Sequence, residues 1–397
     1  MLHDLGQAAY RPFFVLTALA AMAGGMVWWW PWGIGQPVFL HWHLLLFGMG
    51  GAAVAGYLLT ALPSWTGRRP VPPRLIGSLV VLWLLARVAA GGVDQWPVWW
   101  VLLPGLAFFA LLAAFLVWRV VCAGAWSRLH LALSPLLPAL AETLLVSAWQ
   151  DRGGAGVSAP WAGLAFALLI VLIGGRAVPA FTATGLAWQG IAGRVRASPW
   201  VQALSLGLLI AALLALVVGI AAPVTGGLLL AAGLLQLLRL MGWQPARARR
   251  VPALLMLQLA WVWLGLGLLL LGVALGWPDR LWPGTALHGL TMGAMGGMIV
   301  AIAARAAMRR TPRGLQPTPV QLAAAALVLI SPALRLLPGS FGPLEGMRLA
   351  ALCWSAGWLL FLWALWPALR GPVPHPVLSG PRPRACPADD VAAGRYP

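Results

Sequence analysis

Three of the six histidines, His41, His43 and His288, and one carboxylate, Glu142, fall inside long apolar runs of the chain. An ionisable side chain within a membrane-type helix is costly and is a functional candidate by default. Imidazole is a common ligand for iron, copper and zinc, so histidines from two helices could hold one metal or one haem iron. His41 and His43 are two residues apart, about 200° around a helix axis, and one regular helix cannot aim both into one site. His43 begins a face with Phe47 and Gly50, and His288 shares a face with Met292 and Met295. Gly48, Gly50 and Gly51, with Gly289, Gly293, Gly296 and Gly297, remove side-chain bulk. They would let helices approach closely or leave room for a flat macrocycle. The expected site is therefore His43 with His288 on one metal or haem iron, with His41 as an alternate or second-metal ligand. The plainer reading is histidines hydrogen-bonded to backbone or hydroxyls, among glycines that serve packing.

Other residues offer weaker chemistry. Met292, Met295 and Met298 would suit copper(I), a soft ion, or simply fill gaps in a bundle. Glu142 is the one acid deep inside a span; it could carry protons, but a structural pair with Arg87 at similar depth is the simpler expectation. Arg87, Arg335 and Arg348 sit near the ends of their spans, where they could hold acidic haem propionates or snorkel to the interface. Arg176, beside the Pro179 break, could bind an anion or anchor its helix. Cys122, Cys353 and Cys386 form no CxxC pair, so a disulfide framework or thiolate metal site has no support. No P-loop, GxSxG, HExxH or dinucleotide fingerprint is present.

The elements that must position these residues are helices. Of 397 residues, 61% are hydrophobic and 9% charged, against about 25% charged in soluble domains. The chain cannot dress a water-facing surface; it reads as an all-α polytopic membrane protein in contact with the lipid bilayer. A crossing helix needs about 20 apolar residues, which places twelve spans at roughly 13–30, 39–62, 75–91, 97–120, 128–149, 160–181, 199–220, 223–241, 251–275, 284–308, 317–337 and 343–369. Only a short turn near Pro223 separates the seventh and eighth, so eleven is the alternative count. The net charge of +18 comes from 26 arginines without a lysine. They are spread between apolar runs, which argues against a nucleic-acid face. With a cytoplasmic N-terminus, 20 of the 26 fall on the cytoplasmic side, and the positive-inside rule then puts both termini in the cytoplasm of a bacterial inner-membrane protein. Trp28, Trp29, Trp30, Trp32, Trp96, Trp99, Trp100, Trp149, Trp161, Trp277 and Trp282 fall at the outer ends as an interfacial belt. The spans occupy 1–370; the Pro-rich segment 371–397 reads as a disordered cytoplasmic tail.

An internal repeat is hinted at. The second and tenth spans align at an offset of 245, pairing His43 with His288, Gly48 with Gly293 and Gly51 with Gly296. The sixth aligns with the second at an offset of 116, pairing Pro63 with Pro179 and Thr66 with Thr182. Spans four apart suggest three four-helix units.

The order of motifs resembles the NnrS family. It runs from Arg11-Pro12-Phe13-Phe14 through His41-Trp42-His43, Gly56-Tyr57-Leu58-Leu59-Thr60-Ala61-Leu62-Pro63-Ser64-Trp65-Thr66-Gly67-Arg68 and Gly174-Gly175-Arg176 with Pro179-Ala180-Phe181-Thr182, to His288-Gly289-Leu290-Thr291. The resemblance covers the chain to about residue 314. It implies a twelve-span protein with haem (haem b) and copper, tied to nitric oxide metabolism, denitrification and nitrosative stress. Nitric oxide would be its ligand, substrate or inducing signal, and the redox partner is left open. The chain departs from the family pattern at Leu44, where a Glu is usual, and at Gln236 and Gln258, where histidines are usual; a metal site there is in doubt. A more distant analogy is the haem–copper oxidase core, with three four-helix arcs and a haem hung between histidines of spans 2 and 10. Its copper ligands on spans 6 and 7 have no counterpart here, and the analogy concerns fold alone.

The leading expectation is a haem-binding membrane protein, with electron transfer as its simplest use. Whether it turns over a substrate is left open. The alternatives are a transporter of a small solute or metal without haem, which inverted repeats would favour, and an assembly protein whose histidines only pack.

Overall fold

The computed structural model describes residues 2–27, 36–151, 160–337 and 343–379. Within them the chain is almost wholly helical, as continuous Leu/Ala runs without internal hydrogen-bond partners must be in hydrocarbon. The long helices are α1 Tyr10–Met26, α2 Pro37–Thr66, α3 Pro73–Gly91, α4 Val98–Cys122, α5 Trp126–Asp151, α6 Pro160–Trp188, α7 Pro199–Val218, α8 Ala222–Met241, α9 Pro252–Gly276, α10 Pro283–Ala306, α11 Pro319–Leu336 and α12 Gly346–Leu369. Eleven of these are long and apolar enough to cross a membrane; α1, at 17 residues, is shorter and well buried. The seventh and eighth are separate helices: Gly219, at φ 78°, ends α7 in the left-handed region and Pro223 lies in the first turn of α8. Proline likewise occupies the first turn of α2, α3, α7, α9, α10 and α11, where its missing N–H is not needed. Between α10 and α11 the chain forms the one described sheet, a two-stranded antiparallel hairpin of β1 Arg309–Thr311 and β2 Gly314–Gln316.

Three helices carry π-helical turns: Leu44–Gly50 in α2, Ile170–Gly174 in α6 and Gly289–Gly296 in α10. Such turns are rare and concentrate at functional sites. The segments in α2 and α10 begin at Leu44 and Gly289, 245 positions apart, the same offset at which the sequences align. Each begins directly after a histidine. The α6 segment is out of register, since Ile170 aligns with Val54. The pairing of α2 with α10 thus has a structural counterpart, while α6 matches only as a third interrupted helix. These helices lie inside the bundle: 78% of the α10 span and 72% of the α2 span are buried, against 22% of α7.

Close approach depends on glycine where α8 meets α9. A Cβ at Gly226 would lie 2.7 Å from the Gly272 carbonyl, and one at Gly233 would lie 2.8 Å from the Gly265 carbonyl. Small residues drive such contacts because lipid gives helices no hydrophobic reason to associate. Gly272→Ile is expected to force the pair apart and to lower stability by about 1–3 kcal/mol, read as an earlier thermal transition in detergent.

The tail differs from its expectation. Residues 371–379 pack across one end of the bundle, because arginines donate to their carbonyls: Arg11 Nη2 to Gly371 O at 2.6 Å, Arg305 Nε to Leu378 O at 2.7 Å and Arg310 Nη2 to Val377 O at 2.8 Å. Residues 380–397, with Cys386, lie outside the described residues, as do Trp28, Trp29, Trp30 and Trp32. Trp96, Trp99, Trp100, Trp277 and Trp282 are exposed on the bundle surface, as an interfacial belt requires, whereas Trp149 is buried and donates to Asp94.

Candidate functional site

At the tryptophan-rich end the first turns of α2 and α10 sit side by side. The imidazoles of His41 and His288 face each other with ring centroids 6.3 Å apart and planes inclined by 41°. Each ring is fixed by its Nδ1: His41 Nδ1 lies 2.8 Å from Gly24 O of α1, and His288 Nδ1 lies 2.8 Å from Gly284 O one turn back. A carbonyl can only accept, so these bonds assign the proton to Nδ1 in both rings and the lone pair to Nε2. That is the tautomer a metal-ligating histidine adopts when a carbonyl orients it. Both rings line a cavity of about 290 Å³ whose walls include Met292, Arg335, Trp282 and Trp354. Gly25 lines it too, where a Cβ would meet Trp354 at 2.9 Å.

The expected pairing of His43 with His288 is therefore corrected: His41 is the partner. The 200° separation on α2 decides it. With His41 turned to α1 and α10, His43 must face the other side, toward α3 and α5. There it is 1% exposed, and its Nε2 lies 2.8 Å from Glu142 Oε1; Arg87 Nη2 approaches the same oxygen at 3.5 Å. Phe39 stacks on the ring at 5.5 Å. The pair of Glu142 with Arg87 was legible in sequence; its third member was not. His43 Nδ1, Glu142 Oε2, and Arg87 Nε and Nη1 are buried without a hydrogen-bond partner among the described residues. The signal that could have found the triad was the combination of a lone intramembrane acid and a histidine excluded from the other site.

The remaining candidates separate. Arg335 and Met292 belong to the His41/His288 cavity. Arg87 does not, being committed to Glu142. Arg348 is exposed on α12 and is absent from the cavity wall, although its neighbour Met347 is part of it. Met295 lines a different, apolar cavity deeper in the bundle, with Met298 and Phe166. Arg176 is at the opposite end of the bundle and bonds His130 Nε2 at 3.2 Å. Trp282, Met347 and Trp354 are cavity residues that sequence reasoning missed; nothing in their spacing marked them among so many apolar neighbours.

Where the family pattern has histidines, Gln236 and Gln258 use their amides internally. Gln236 bonds Ser205 and accepts from Arg239 Nη1 at 3.1 Å; Gln258 Nε2 donates to Trp243 O at 3.3 Å. Arg239 lies between Trp243 and Trp261, its guanidinium carbon 5.6 and 5.1 Å from their ring centroids. Among the described residues, no cluster of three or more His, Cys, Asp and Glu side chains stands ready for a metal. The protein thus offers two imidazoles, not a closed four-ligand cage.

A bundle of long apolar helices with two oriented imidazoles at one end defines an integral membrane protein built around a histidine-lined cavity. The chain belongs to the NnrS family: the model of that family, described as NnrS protein, matches residues 4–372. Membership makes it a membrane protein related to the nitric oxide response. A search of the curated proteins finds no match.

Proposed function

We propose that His41 and His288 would hold a haem iron between them and that the protein serves nitric oxide metabolism or protection against nitrosative stress. The observation that carries this reading is that the two rings face each other in one cavity, each with its Nδ1 turned to a carbonyl. The two ring centroids lie 6.3 Å apart, within reach of one shared ion. Two protein donors are also the number a porphyrin iron needs, because the macrocycle supplies four more. Haem, when bound, would supply a redox-active iron with affinity for diatomic ligands. Arg335 would meet a propionate, and the flanking tryptophans would exclude water. Copper is the second reading, favoured by Met292: two imidazoles and a thioether form a soft donor set.

The test is a purified sample with oxidised and reduced visible spectra and haem and copper assays. Sharp low-spin bands with stoichiometric haem support the first reading. A colourless protein that holds copper supports the second, and one that stays colourless and metal-free after haem supplementation sinks both.

The arginine-rich end of the bundle, with Arg176, Arg239, Arg247 and Arg310, is assigned to the cytoplasm of a bacterial inner membrane, and the histidine cavity to the outer face. Accordingly, a fluorescent reporter fused after residue 397 is expected to light up, and an alkaline phosphatase fused there to stay inactive. The opposite pattern inverts the topology.

A further inference from the structure

At the arginine-rich end a chamber of about 440 Å³ lies under residues 375–379, within the roughly 300–1,000 Å³ of small-molecule sites. Its walls are aromatic and polar: the rings of Tyr57, Trp65 and Phe181, with the hydroxyls of Tyr57, Ser64 and Ser379. Thr60 Oγ1, in the same wall, is buried without a partner among the described residues. Besides Tyr57, the titratable side chain in this lining is His375, and the neighbouring arginines are engaged: Arg305 stacks on Phe181 at 4.0 Å and donates to Leu378 O, and Arg310 donates to Val377 O. Tyr57 also forms the end wall of a second cavity, an apolar slot of about 80 Å³ between α2, α6 and α10. Apart from Tyr57, the slot is lined by hydrocarbon, glycine and the thioethers of Met295 and Met298; Val54, Ile170, Ile173 and Ile299 in its walls are only half-buried. A hydrogen-bonding, ring-walled chamber that shares the Tyr57 wall with an apolar slot matches an amphiphile with a flat polar head and a hydrocarbon tail. Residues of the Tyr57–Trp65 motif that the histidine cavity leaves unexplained line this chamber.

We propose that chamber and slot together bind a membrane-soluble quinone, its ring against Tyr57, Trp65 and Phe181 and its prenyl tail in the slot. The hydroxyls of Tyr57 and Thr60 would donate to the quinone carbonyls, and the carbonyl-anchored segment 375–379 would close the chamber from water. This site shares no lining residue with the histidine cavity, so the proposal stands apart from the haem reading.

The full-length protein in detergent would be irradiated with a photoreactive azidoquinone, digested and mapped by mass spectrometry. Expected is label within residues 57–65 and 375–379, competed by decylubiquinone and not by phosphatidylglycerol. Ala61→Phe should fill the chamber and abolish labelling. Tyr57→Phe, which keeps the ring and loses one hydrogen bond, should weaken competition about five- to tenfold. Labelling must persist in His288→Ala protein, whatever its haem content. Label elsewhere, equal competition by phosphatidylglycerol, indifference to both chamber variants, or loss of label in His288→Ala protein overturns the proposal.

Discussion

Replacing His288 by alanine is expected to abolish the low-spin haem spectrum, and His41→Ala to do the same, with bound haem falling more than about tenfold in each, since altering even a ligand's orienting partner costs 10- to 100-fold in metal affinity. His43→Ala is expected to leave the band positions unchanged. The contrast is the informative part, because His41 and His43 are two residues apart on one helix and share its depth in the membrane. The rings of His41 and His288 face one cavity, while His43 is spoken for by Glu142 on the far side of α2. A spectrum lost in His43→Ala and kept in His41→Ala would restore the pairing that sequence alignment of α2 with α10 suggests and refute the one drawn from the structure. Spectra untouched by all three variants would remove both helices from the haem site.

The second large effect concerns the triad. Glu142→Leu leaves Arg87, 11% exposed, buried beside His43 with no carboxylate. Breaking a buried ion pair from one side is expected to destabilise by about 3–5 kcal/mol, because the stranded charge keeps its full desolvation penalty. Replacing all three residues together, as His43→Phe, Arg87→Leu and Glu142→Leu, removes the stranded groups and is expected to recover most of that loss, since well-packed apolar substitutes for a buried pair are often neutral. Thermal unfolding of the single and triple variants in one detergent checks this. A triple variant less stable than Glu142→Leu would mean that the triad does more than neutralise itself.

Much of this was legible in the sequence, for identifiable reasons. Helices follow from hydrocarbon leaving the backbone no other partner, and span limits follow from prolines in first turns and glycines at ends. The membership of His288, His41, Arg335 and Met292 in one region follows from their shared depth. What was not legible was direction. The alignment at offset 245 set His43 opposite His288, but repeat-equivalent residues need not face each other, and no periodicity says which flank of α2 meets α10. The π-helical turns after His43 and His288 also rotate the faces that a regular helix would present. For that reason Met292 and Met295, read as one face, line different cavities. The Pro-rich composition of the segment after Arg370 suggested disorder, because composition cannot reveal arginines elsewhere in the chain whose donors need carbonyls.

Those arginines bear on how the molecule is made. Arg11, in the first turn of α1, is fully buried and bonds Ala368 O and Gly371 O, more than 350 residues downstream. Tyr10 donates to Ala368 O as well, and Trp354 of α12 donates to Ala21 O of α1. During synthesis the Arg11 guanidinium meets one acceptor locally, Asp4 O, and waits for more than 350 further residues before Ala368 O and Gly371 O are made. The bundle therefore closes as a ring, with α1 sealed by α12 and the residues just after it. A chain stopped before residue 368 would leave the buried Arg11 guanidinium with Asp4 O and without the acceptors Ala368 O and Gly371 O.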